Sequence, residues 1–105
     1  MLVDRRGRVA RLNSAAHDML ARGDGLRAGP AGLSASDPAT AARLRRLLEQ
    51  AGGADALRGR AGGALLVPRP SGLRPYYLTV TPLLAAAGSD GPLVAVFVHD
   101  PAGIA

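Results

Sequence analysis

The chain contains no cysteine, no tryptophan and no lysine. Without cysteine there are no disulfides, no thiolate metal site, no cysteine nucleophile and no cysteinyl-flavin photoadduct. Two histidines, His17 and His99, leave a metal site or a histidine-based triad without its usual parts. The aromatic residues are Tyr76, Tyr77 and Phe97 alone, so there is no series of rings on which the bases of a single strand would stack. No uninterrupted apolar run reaches the ~18 residues of a membrane span. The N-terminus also lacks the basic-then-apolar order of a signal peptide. A cytoplasmic protein that spans no membrane is expected.

What is present fits one small domain. A chain of 105 residues hides roughly two-thirds of its unfolded surface, enough for one core and one small pocket. An apolar fraction of 48% with 20% charged residues belongs to a folded protein rather than a disordered one. All thirteen basic residues are arginines, and the net charge of +5 is uneven. Residues 1–74 carry thirteen arginines against six acids, whereas residues 75–105 carry only Asp90 and Asp100. The basic part is either a solvated surface or a nucleic-acid contact.

The spacing changes along the chain. Leu2 to Asp4, the turn Arg5-Arg6-Gly7 and Arg8 to Leu12 predict a β-hairpin. Asn13 or Ser14 caps a helix running to about Arg22, with Ala16, Met19 and Leu20 on one face and Gly23 as its C-terminal stop. The glycine-rich stretch from Gly23 to Ser36 predicts an irregular connector, extended briefly at Leu26 and Leu33. Asp37 then caps a second helix with Pro38 at its first position, ended by Gly52-Gly53. Ala41, Leu44, Leu47, Leu48 and Ala51 form its apolar stripe. Beyond a Gly/Ala/Arg link, Ala64 to Val67 and Tyr76 to Leu84 predict a second hairpin turning at Pro70-Ser71-Gly72. The last strand, Leu93 to Val98, does not alternate and so reads as a central strand covered on both faces. The expected fold is α+β: a five-stranded antiparallel sheet with helices inserted between strands 2 and 3 and packed on one face.

The segment "LVDRRGRVARLNSAAHDML" resembles the opening of a PAS domain, through Asp4, Gly7, Val9, Asn13, Ala15, Ala16 and Leu20. More narrowly, the chain is similar to the PAS-like sensory region of LuxR-type helix-turn-helix transcriptional regulators. The fragments that carry this likeness are Gly23 to Leu26, Asp37 to Leu48, Pro68 to Pro75 and Asp100-Pro101. The resemblance implies a single sensory domain over 1–105, taken from a longer regulator whose C-terminal DNA-binding part is absent. The two helices here are too far apart in sequence to make a helix-turn-helix themselves.

The resemblance implies a sensor, not an enzyme, and no residue pattern suggests catalysis. An apolar pocket between sheet and helices is expected, lined by Leu12, Leu20, Leu44, Leu48, Leu78 and Phe97, with His17 placed to reach it. His17 also has a plainer reading, which the sequence favours, as a half-exposed helical histidine. The face of the sheet away from the helices is expected to present Val94, Val96 and Val98 to a second copy or a flanking helix. No cofactor or metal is expected, and the small-molecule ligand is not named by the sequence. Two other functions stand beside the sensor: a dimerisation scaffold without ligand, and an arginine-rich nucleic-acid-binding module. Arg5, Arg6, Arg8 and Arg11, the densest basic cluster, read either as that module's contact or as charges that keep a strand edge from aggregating. His99 beside Asp100 reads as a relay pair or as a solvated strand end. Tyr76 and Tyr77 point to opposite faces, in a register the sequence leaves open.

Overall fold

A computed structural model describes residues 1–4, 7–30, 32–52, 62–83 and 93–101. The predicted opening hairpin forms from β1 (Leu2–Val3) and β2 (Val9–Arg11). Asp4 organises its turn twice over. Its carbonyl accepts from the Gly7 amide at 2.9 Å, and its carboxylate accepts from the Arg8 amide at 3.0 Å. Gly7 supplies the positive φ of +83°. Arg5 and Arg6 lie outside the described residues.

Helix α1 (Ser14–Arg22) begins and ends as its sequence predicts. The Asn13 side chain accepts from the Ala16 amide at 2.9 Å, and Gly23, left-handed at φ +62°, donates its amide to the Leu20 carbonyl at 3.1 Å. The connector that follows is more ordered than expected. Its two extended pieces are strands, β3 (Leu26–Gly29) and β4 (Gly32–Ala35), paired antiparallel in a separate two-stranded sheet. Short strands with few apolar residues are hard to read from alternation. Here Leu26 and Leu33, 0% and 7% exposed, supply the core contacts instead. This small hairpin is seated on the first turn: the Leu33 amide donates to the Gly7 carbonyl at 2.8 Å.

Helix α2 (Pro38–Gly52) is capped by Asp37, whose carboxylate accepts from both the amide and the hydroxyl of Thr40, at 2.9 and 2.6 Å. These bonds, the hydroxyl's first, hold the Asp37 carboxyl below its ordinary range. Leu44, Leu48 and Ala51 are buried, with Ala41 and Leu47 packed beside them. The stripe lies against β4 and across β5 (Gly63–Val67), β6 (Tyr76–Leu83) and β7 (Leu93–His99). The main sheet has five strands in the order β2-β1-β7-β6-β5, every neighbouring pair antiparallel. Both helices and the small hairpin are inserted between its second and third strands along the chain.

Strand β7 is central, but its two faces differ. Val94 and Val96 are 0% and 1% exposed and belong to the core under α2, with Val98 packed against it. The alternate residue Phe97 is 62% exposed on the other face. This corrects two sequence expectations at once. Val94, Val96 and Val98 are core residues rather than a partner face, and Phe97 faces away from the helices rather than into a pocket. A run apolar at every position carries no phase, so only the register with β1 and β6 assigns its faces.

Candidate functional site

The residue that organises the end of this sheet is Arg69, between Pro68 and Pro70 just after β5. Its side chain is only 2% exposed. Nε donates to an Asp24 carboxylate oxygen and Nη1 to an Asp100 carboxylate oxygen, each at 2.8 Å. The guanidinium lies over the Tyr76 ring, 4.2 Å from its centroid, within cation–π range. One rigid fork thus ties together three segments distant in sequence: the turn after α1, the turn between β5 and β6, and the end of β7. Arginine suits this role because its planar donors serve two carboxylates at once while its face stacks on a ring.

Neighbouring residues fix the geometry of the fork. Asp24 accepts the Ser71 amide at 3.0 Å and the Ser71 hydroxyl at 2.6 Å, besides Arg69. The Ser71 hydroxyl, with its amide and Arg69, draws the Asp24 carboxyl below its ordinary range, against the opposing effect of burial. The turn that carries both residues is closed by the Gly72 amide donating to the Arg69 carbonyl at 3.0 Å. Gly25, at φ +102°, lets this turn approach: a Cβ there would stand 2.5 Å from the Pro68 carbonyl oxygen. Tyr76 sits under Arg69 because β6 pairs Tyr77 with His99, which brings Tyr76 level with Asp100.

The depressed carboxyl sets a pH dependence. Asp24 binds fewer protons folded than unfolded, so its contribution is complete above the ordinary carboxylate pKa of about 3.9 and declines as pH falls through the lower folded value. Stability is expected to fall from about pH 4 downward, and Asp24→Asn is expected to flatten that limb while lowering stability at neutral pH. Thermal melts across the acid range check both. The Asp37 carboxyl, shifted the same way, leaves the variant some residual slope.

The residues expected to line a pocket do not form one group. Leu44, Leu48 and Leu78 are packed in the core. Leu20 is half-buried against it. Leu12, 38% exposed, and His17 line a shallow open depression with Asn13, Ser14 and Asp18. His17 is well exposed, 3.8 Å from the equally exposed Asp18 carboxylate. Phe97 lies on the far face of the sheet. There it joins Leu66, 59% exposed, and Tyr77, 47% exposed. Leu66 pairs with Tyr77 and Tyr77 with His99, so Phe97 is diagonal to Tyr77, within reach of its ring. The outward positions from β5 to β7 are Ala64, Leu66, Tyr77, Thr79, Thr81, Ala95, Phe97 and His99. None of these carries a permanent charge.

Sequence reasoning missed Asp24, Arg69, Ser71 and Tyr76 as one site. The available signal was local and cryptic: an aspartate between two glycines, an arginine between two prolines, and an aspartate followed by proline. Nothing in their spacing says that the three meet. Compared with family models, curated proteins and solved structures, the chain matches none.

Proposed function

We propose that this chain is a PAS-like sensory and regulatory domain of the kind that precedes the DNA-binding part of LuxR-type helix-turn-helix regulators. The observation that carries this proposal is the meeting of Asp24, Arg69 and Asp100. They come from three of the fragments on which the resemblance rests, and they close into one network at the end of a five-stranded antiparallel sheet with α2 across one face. In this role the network is a coupling element. Asp100 stands at the exit of β7, where a following domain attaches, and Asp24 stands at the end of α1. A change at either carboxylate is felt by the other through the shared guanidinium. Ligand binding alters the output only by favouring one of two such arrangements.

The proposed partner of the outer face is a second copy of the chain, in the cytoplasm. A face bearing Leu66, Tyr77 and Phe97, with no permanent charge from β5 to β7, offers nothing to a polyanion or an acidic protein. It is self-complementary in polarity, so two copies bring together apolar surface that each alone leaves wet. Light scattering is expected to give a dimer for the parent protein and a monomer for Phe97→Glu, with unchanged circular dichroism in both. A parent protein that stays monomeric at high concentration contradicts the dimer.

A further inference from the structure

One residue of the outward face belongs to the side-chain type that changes charge near neutral pH. Strand pairing puts Leu66 of β5, Tyr77 of β6 and His99 of β7 in a single row across the sheet. The Cβ atoms of such directly opposed residues stand about 5 Å apart. Phe97 lies two residues before His99 on the same face of β7, roughly 7 Å along the strand. All four side chains are exposed. A surface that covers Tyr77 and Phe97 therefore covers the imidazole beside them as well. We propose that His99 makes dimerisation through this face pH-dependent, the two copies associating while the imidazole is neutral and separating when it is protonated. This rests on the dimer proposed above and supplies its regulation.

Histidine is the side chain whose charge ordinarily changes between about pH 5 and 8. A neutral imidazole fits among apolar and aromatic neighbours with one donor and one acceptor to satisfy. A protonated one brings a charge into the contact, and burying a charge without a counter-charge is costly. The second copy presents the same positions, from Ala64 to His99, and none of them between β5 and β7 is acidic. Each dimer thus encloses two such charges of like sign. Two separate copies bind more protons than the pair does, so association strengthens as pH rises and weakens as it falls.

The charged groups on neighbouring elements do not supply the missing counter-charge. Asp100 follows His99 but turns to the buried side, where Arg69 donates to it at 2.8 Å. Arg74, exposed in the turn before β6, is itself positive. On the β1 side of β7 the Met1 ammonium donates to the Val96 carbonyl at 3.1 Å. Tyr77, opposite His99, brings a neutral phenol. His17, the second histidine of the chain, is carried by α1, whose main packing is against β3.

The dimer dissociation constant of the full chain is measured by sedimentation equilibrium between about pH 7.5 and pH 5.5, within the range over which histidine titrates and above the acid limb set by Asp24. It is expected to rise by about tenfold or more as pH falls, since up to two protons are taken up for each dimer that separates. His99→Gln, neutral throughout, is expected to hold Kd constant within about twofold over the range, while His17→Gln follows the parent. By reciprocity, the His99 imidazole resonances are expected to titrate at lower pH in concentrated than in dilute solution, and those of His17 at the same pH in both. A level Kd in the parent, or equal His99 midpoints in concentrated and dilute samples, overturns the proposal. So does an undiminished rise in His99→Gln, which assigns the effect to another group such as the Met1 amine. A parent monomeric at every pH overturns the dimer and its control together, whereas a dimer of constant Kd overturns the control alone.

Discussion

Arg69→Met is expected to destabilise the fold by about 3 kcal/mol, the scale for removing one side of a buried ionic network. In a domain of this length that lowers Tm by roughly 12 to 20 °C. The substitution keeps an unbranched side chain in the same space but removes the cation that Asp24 and Asp100 share, and it uncovers the Tyr76 ring. Arg69→Lys separates charge from geometry. An ammonium restores the positive charge but not the two-carboxylate fork or the flat stack on the ring. It is expected to recover less than half of the loss. Full recovery by lysine would mean that only the charge matters and that the fork's geometry is incidental. Thermal and denaturant unfolding of the three proteins measure this.

The second large effect is expected at Gly25. Alanine there meets two penalties together: a φ of +102° that side chains rarely adopt, and a Cβ 2.5 Å from the Pro68 carbonyl oxygen. The strained backbone alone costs about 1–3 kcal/mol, and the contact forces the turn carrying Arg69 away from the turn carrying Asp24. Gly72 is the natural control. Its φ is +83°, but nothing stands within 4 Å of an added Cβ, so Gly72→Ala is expected to cost only about 1–2 kcal/mol. Gly25→Ala is therefore expected to lose substantially more stability than Gly72→Ala. Only the former should also return the Asp24 carboxyl toward its ordinary pKa, as read by carbon NMR. Equal losses at the two glycines would show that the close approach at Pro68 is unimportant.

Much of the scaffold is legible in the sequence because its signals are local. Asn13, Gly23 and Asp37 with Pro38 act within a turn of the residues they cap, and the helix stripe of Leu44 and Leu48 repeats at a fixed spacing. The central place of β7 follows from its apolar continuity, since edge strands rarely have it. That same continuity hides its phase. With Leu93 to Val98 apolar throughout, only pairing across the sheet puts Val96 inward and Phe97 outward, so Phe97 and the valines expected on the partner face exchange faces. The strands β3 and β4 were visible only as two leucines, because their pairing draws on backbone bonds and on Gly7 rather than on an alternating pattern. The Arg69 network is least legible of all. Its ion pairs join residues 45 and 31 positions apart, and closure over such distances is decided by the fold, not by any neighbourhood of the chain.

A double-mutant cycle over Asp24→Asn and Asp100→Asn tests most directly whether these two carboxylates share one buried cation. With either aspartate replaced, Arg69 keeps a partner; with both replaced, a buried guanidinium is left without a counter-charge. The combined loss of stability is expected to exceed the sum of the separate losses. Losses that simply add would show that the turn after α1 and the end of β7 are not joined through Arg69.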